Sequence, residues 1–233
     1  MKLHFQRELE QLKRRILSLG AMVEERVRMA IKAHENRDGD LAKSIIEADR
    51  EIDQAEVEVE EECLKILALH QPVAVDLRFI AAMIKINNDL ERIGDEAVNI
   101  AQRVANISRR PPVSVPFEYS VMAEKTETML KNSLDAMVNL DSDLAYKVCV
   151  ADDEVDRLDS DIYDKVKDAI RRQPDRVGYL INLLLISRHL ERIADHATNI
   201  AEEVIYMIEG QISRHRKDAF IPDQEPAPEP SET

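Results

Sequence analysis

Two stretches that lie one hundred residues apart decide the fold: LERIGDEAVNIAQRV at residues 90–104 and LERIADHATNIAEEV at residues 190–204. Ten of the fifteen positions are identical. Several of the identities are polar, which the packing of a core does not require. Apolar residues recur at three- and four-residue steps in both stretches, and this spacing predicts α-helices.

Shorter matches extend the repeat at nearly the same offset. Residues 48–53 read ADREID and residues 151–156 read ADDEVD, and Gln-Pro connectors stand at 71–72 and 173–174. The matched segments follow the same order in each half. A duplicated unit of three helices accounts for this pattern.

The prolines separate the predicted helices, because all of them fall between or after the periodic segments. The fold class is therefore predicted to be all-α, with two tandem pseudo-symmetric three-helix bundles. The expected domains are residues 1–110, a Pro-rich linker at 111–116, residues 117–219 and a disordered Pro/Glu-rich tail at 220–233. The predicted helices span approximately 3–36, 40–69, 76–108, 117–139, 142–171 and 176–216.

Composition narrows the classes of function. The chain has 233 residues, with 32 Lys and Arg against 46 Asp and Glu, so its formal net charge is −14. Such a surface repels a phosphate backbone, so no nucleic-acid partner is expected. No apolar run approaches the roughly 18 residues of a membrane span, and the N-terminus lacks a signal-peptide core. A cytoplasmic protein is expected.

Each half carries two acidic pairs with i, i+4 spacing, which places both carboxylates of a pair on one helix face. On a helical projection of the third predicted helix, Glu91 and Asp95 lie more than a right angle away from the apolar stripe. Carboxylates are hard ligands, so the pattern suits magnesium, manganese or iron better than zinc. The alternative is a solvated acidic face whose counter-ions are Arg92 and Arg192. We call these eight residues the acidic rows: Asp49, Asp53, Glu91, Asp95, Asp152, Asp156, Glu191 and Asp195.

The histidines do not fit familiar metal or catalytic motifs. None stands three residues after a glutamate, as a ferritin-like di-iron bundle requires. No H-E-x-x-H, phosphate-binding loop or nucleophile elbow occurs, so we do not expect an enzyme. His189 and His196 are expected to be surface residues of a helix.

The two E-x-x-x-D motifs followed by N-I-A, the A-D-x-x-[IV]-D segments before them and the overall length resemble the PhoU family, over about residues 3–215. The resemblance implies a cytoplasmic negative regulator of the phosphate-starvation response and of phosphate uptake. Such a protein links the ATPase subunit of the phosphate ABC transporter to a sensor histidine kinase. Contact with the membrane would come only through these partners.

The resemblance also implies a homodimer, and multinuclear iron or another divalent metal (Mg, Mn or Zn) on the acidic rows. Asn99 and Asn199 fall within the motif as second-tier candidates. The halves differ at Glu96 and His196, and at Asp89 and His189, so equal occupancy of the two halves is not implied. Two other hypotheses are a structural or chaperone-like bundle that regulates a different transporter, and a metal-dependent hydrolase.

Overall fold

The computed structural model describes residues 2–113 and 119–210, and within them it contains α-helices, one short 3-10 turn and no strand. The prediction of an all-α fold is confirmed. The helices are α1 (Lys2–Asn36), α2 (Gly39–Glu47), α3 (Arg50–His70), α4 (Val75–Ile107), α5 (Tyr119–Asn139), α6 (Ser142–Arg172) and α7 (Val177–Glu209).

The two halves pack side by side through their last helices. In the first half, α1, α2 and α3 pack on α4, and in the second half α5 and α6 pack on α7. Helices α4 and α7 contact each other, and α1 also contacts α5. The apolar stripes of both helices are buried, for example Leu90 and Ile93 on α4 and Leu190 and Ile193 on α7. The two three-helix units therefore share one continuous core.

The second predicted helix, 40–69, is broken in two at Ala48 and Asp49, where the sequence has neither glycine nor proline. The break has a cause in α1. Buried Arg26 donates from Nη1 to the carbonyl oxygen of Ile45 at 3.1 Å, and this is the carbonyl that would otherwise accept from the backbone N–H of Asp49. Because the guanidinium satisfies this carbonyl, α2 can end and α3 can begin in a new direction. The equivalent segment of the second half is continuous within α6.

Most of the other helix ends follow the predictions closely, but α7 ends at Glu209 and not at the predicted 216, because Gly210 adopts the left-handed conformation that terminates helices. Asp38 accepts from the backbone N–H of Leu41 at 2.9 Å, and Asp141 accepts from that of Leu144 at 2.9 Å, so both act as N-caps. Residues 114–118, which belong to the predicted linker and second unit, lie outside the described residues. So do residues 211–233, which include the predicted tail. The domain boundaries therefore stay a prediction. Over the described part, no helix is both long enough and apolar enough to cross a bilayer.

Candidate metal centre

The acidic rows lie where α3 faces α4 and where α6 faces α7. In the first half the helices approach closely, because a Cβ added at Gly94 would lie only 3.1 Å from Cδ1 of Ile52. The flanking side chains of Glu91 and Asp95 keep 24% and 40% of their exposure. The row is therefore at the flank of the bundle, accessible to a solvated ion but partly shielded by the two helices.

The four acids of the first half interact electrostatically. Burial raises the pKa of Glu91, and the charge of Asp95 raises it further. Burial likewise raises the pKa of Asp95, with a contribution from Asp53 across the helix pair. The pKa of Asp49 is raised by burial, by Asp53 and by Asp95. Mutual repulsion of this kind favours a bound cation or an internal positive charge.

Arg92 supplies that internal charge in the first half. Its Nε lies 3.4 Å from Oε2 of Glu91, and its Nη1 lies 3.6 Å from Oδ2 of Asp95. The arginine opposes the rise in the pKa of both carboxyls. The first half thus carries its own counter-ion, as the solvated-face alternative expected.

The second half brings three carboxylates together. Asp152 and Asp156, one turn apart on α6, and Asp195 on α7 each offer an oxygen, and these oxygens lie within 4.8 Å of one another. Thr198 donates to Oδ1 of Asp152 at 3.3 Å. Oxygens around one small divalent ion are about 3–4 Å apart, so small side-chain rotations would complete such a set. The residues present therefore fit a divalent cation.

The equivalent arginine does not occupy the same place in the second half. Arg192 reaches across to α4 instead, where its Nη1 lies 3.0 Å from Oε1 of Glu96. The nearest basic contact of Glu191 is Arg188, at 3.7 Å from Oε1. Arg188 is shared with Asp159, whose Oδ2 lies closer, at 3.0 Å.

Glu191 shows the effect of this weaker compensation. Burial raises the pKa of its carboxyl to about 7, and the charges of Asp195, Asp159 and Asp156 add to the rise, while Arg188 opposes it. Burial and Asp156 also raise the pKa of Asp195. A cation at this row would relieve both the repulsion and the protonation. The second half is therefore the stronger candidate for metal binding.

Beside each acidic row, one further acid accepts a hydrogen bond from a polar residue of the neighbouring helix. Ser187 donates to Oδ1 of buried Asp159 at 2.9 Å, and Asn87 donates to Oε1 of Glu56 at 3.1 Å. Asn87 and Ser187 stand at equivalent positions of the repeat, four residues before Glu91 and Glu191. The sequence feature that could have predicted this contact is a polar residue at a buried position of the repeat.

The asparagines of the motif do not join the rows. Asn99 donates to Oε2 of Glu96 at 3.4 Å, and Asn199 donates to Oδ1 of Asp89 at 3.2 Å. Both side chains therefore bond to acids that lie at the contact between α4 and α7. Nothing in these contacts supports them as ligands.

The expectation that His189 and His196 are surface residues is wrong. His189 is buried and its Nδ1 lies 2.6 Å from Oε2 of Glu96. His196 is half-buried and its Nδ1 lies 2.8 Å from Oδ1 of Asp89. The surface expectation failed because these positions face the other half of the molecule, which a projection of one helix cannot show.

The chain is similar to known proteins over most of its length. The sequence model of the PhoU domain matches twice, at residues 16–104 and 119–204. The phosphate-specific transport system accessory protein PhoU homolog of Clostridium acetobutylicum is 36% identical over 89% of this chain and 95% of its own length. The phosphate-specific transport system accessory protein PhoU of Escherichia coli K12 is 33% identical over 91% of this chain and 88% of its own length.

Solved structures agree with the sequence matches. The crystal structure of PhoU from Pseudomonas aeruginosa superposes with a TM-score of 0.85 at 37% identity, and covers 89% of this chain and 100% of that one. The phosphate transport system regulatory protein PhoU from Streptococcus pneumoniae gives a TM-score of 0.80 at 30% identity, and covers 89% and 98%. On sequence and on structure, this chain belongs to the PhoU family.

Proposed function

We propose that this protein is a cytoplasmic accessory protein of a phosphate-specific transport system. It acts as a negative regulator of the phosphate-starvation response and of phosphate uptake. The observation that carries the proposal is the double PhoU-domain match, together with relatives named as accessory proteins of that system over nearly their whole length. An all-helical, acidic protein without a nucleophile–base motif suits binding to partner proteins better than catalysis.

The partners we propose are the ATPase subunit of the phosphate ABC transporter and the sensor histidine kinase of the phosphate two-component system. The protein would act on them as a homodimer. The test is a pulldown with the tagged chain from cells grown in high and in low phosphate. Recovery of both proteins in a phosphate-dependent manner supports the proposal. Recovery of a different transporter in their place would favour the alternative of a helical bundle with another target.

We also propose that the acidic rows bind a divalent metal, with multinuclear iron as one form. The eight ligands would be those of the acidic rows. The convergence of Asp152, Asp156 and Asp195 supports this assignment. A metal there would neutralise an acidic flank and could therefore control docking of a partner.

Metal content of protein purified without a histidine tag tests the metal proposal. Two variants carry asparagine or glutamine at all four row positions of one half, and each serves as the control for the other. We expect bound iron or manganese to fall in both, and to fall further in the second-half variant, where no arginine spans the row as Arg92 does. Absence of metal from the unmodified protein, even after reconstitution, would contradict the proposal and leave the regulator assignment to the pulldown.

A further inference from the structure

Two acid–imidazole pairs join α4 to α7. Oε2 of Glu96 lies 2.6 Å from Nδ1 of His189, and Oδ1 of Asp89 lies 2.8 Å from Nδ1 of His196. Glu96 keeps 3% and His189 9% of its exposure. Arg192 adds a second contact to Glu96 at 3.0 Å. The pairs are thus part of the packed contact between the halves and not of the solvent-exposed acidic rows.

The two pairs are related by the repeat. Position 89 corresponds to 189 and position 96 to 196, so the pair 89–196 becomes the pair 189–96 when the halves are exchanged. The contact is therefore pseudo-isologous: each face meets the equivalent face in the opposite direction. If α7 carried the acids of α4 at positions 189 and 196, every acid would face an acid.

Four buried apolar positions of the repeated motif do not distinguish the halves. Leu90, Ile93, Ala97 and Ile100 recur unchanged as Leu190, Ile193, Ala197 and Ile200, and all are buried. At these positions alone, α4 of a second copy is equivalent to the α7 of the same chain. Discrimination between such partners requires an element that penalises the wrong one.

We infer that the placement of both acids on α4 and both imidazoles on α7 contributes to selecting the pairing of the halves, beside the ion pair of Lys85 on α4 with buried Glu203 on α7 at 3.1 Å. Within one chain the arrangement gives two complementary contacts. Between two copies of α4 it would place Asp89 against Glu96 twice, at a contact where burial makes an uncompensated charge costly. The α4 face thus fits an imidazole-bearing face and rejects its own equivalent. The pairing that this arrangement disfavours is the one in which α4 of one chain packs against α4 of a second chain, that is, an exchange of units between chains.

Two variants of identical composition test this inference in the full-length chain. E96H/H196E makes the pairs within the chain acid–acid and imidazole–imidazole, and it makes each face complementary to itself. E96H/H189E also makes each face complementary to itself, but it keeps both pairs acid–imidazole within the chain. Both variants remove the contact between Arg192 and Glu96, so this loss cancels in the comparison.

Thermal unfolding and molecular mass from light scattering are measured for both variants and the unmodified chain. We expect E96H/H196E to melt at least about 5 °C below E96H/H189E, because two buried charge-assisted contacts are lost in a chain of this size. We also expect it to form species with more chains than the unmodified protein does. If E96H/H196E fails to fold while E96H/H189E folds, complementarity is supported.

Equal melting temperatures and equal masses for the two variants would overturn the inference. Failure of both variants to fold would overturn it as well, because positions 96, 189 and 196 would then be intolerant of exchange whatever their complementarity.

Discussion

Replacing Glu191 by glutamine is expected to stabilise the metal-free protein above neutral pH. The pKa of this carboxyl is raised to about 7 in the folded chain, from an ordinary value of 4.5. The folded state therefore binds the proton more tightly than the unfolded state does. It follows that the free energy of unfolding falls as the pH rises from about 5 to about 7, and that the loss is complete at pH 8. Glutamine cannot ionise, so the variant avoids this loss.

The structure sets the size of the effect. The whole difference between a pKa of about 7 and one of 4.5 corresponds to about 3 kcal/mol. The side chain keeps 22% of its exposure, and Arg188 lies 3.7 Å away, so water and the arginine screen part of the repulsion. We expect a gain of about 1–2 kcal/mol at pH 8, or about 2–8 °C in melting temperature for a protein of this size. At pH 5 the variant and the unmodified protein should be nearly equal.

The assay is thermal unfolding followed by circular dichroism between pH 5 and pH 8, with chelator and then with excess Mn²⁺. Glu61→Gln, on the exposed surface of α3, is the matched control for loss of one carboxylate. With Mn²⁺ the order should reverse at pH 8, because a cation that binds the folded state stabilises the unmodified protein more than the variant. A variant that is no more stable than the unmodified protein at pH 8 with chelator would refute the reasoning.

Three further substitutions test the packing, and chemical denaturation measures all of them. Ile93→Ala leaves a cavity at a fully buried position, and should cost about 2–5 kcal/mol; a smaller loss would mean that the contact between α4 and α7 collapses around it. Gly94→Leu drives a side chain into Ile52 and should cost about 1–3 kcal/mol, whereas an unchanged midpoint would show that α3 moves freely. Arg26→Ala leaves the buried carbonyl of Ile45 unpaired and should cost about 1–3 kcal/mol; hydrogen exchange should then rise at the junction of α2 and α3, and unchanged exchange would contradict the role given to Arg26.

Local patterns were sufficient to predict most of the helices and the helix faces that carry the acidic rows. The helical period identifies the apolar stripes of α4 and α7, and the aspartates at 38 and 141 mark helix starts with their own side chains. The repeat places equivalent acids on equivalent helices. Each of these features depends on residues within a few turns of one another, or on the comparison of one half with the other.

The features that sequence did not predict depend on contacts between distant segments. The break at Ala48 needs a guanidinium from α1, nineteen residues before the carbonyl that it binds. The burial of His189 and His196 needs the direction in which α7 crosses α4, and no pattern within either helix carries that information. The repeat offset relates positions 89 and 189, but it does not reveal that 89 meets 196.

The asymmetry between the two acidic rows follows from the same contact. Arg92 and Arg192 stand at equivalent positions of the repeat. Arg192 contacts the carboxylate of Glu96 on the other half, while within its own row its charge opposes the rise in the pKa of Asp195. At the repeat position of Glu96 the second half has His196, a much poorer partner for a cation, and Arg92 lies against Glu91 and Asp95 of its own row. The divergent repeat position is therefore associated with the arginine that spans the first row, and the second row, where the arginine contact of Glu191 is Arg188 at 3.7 Å, has the greater need of a metal.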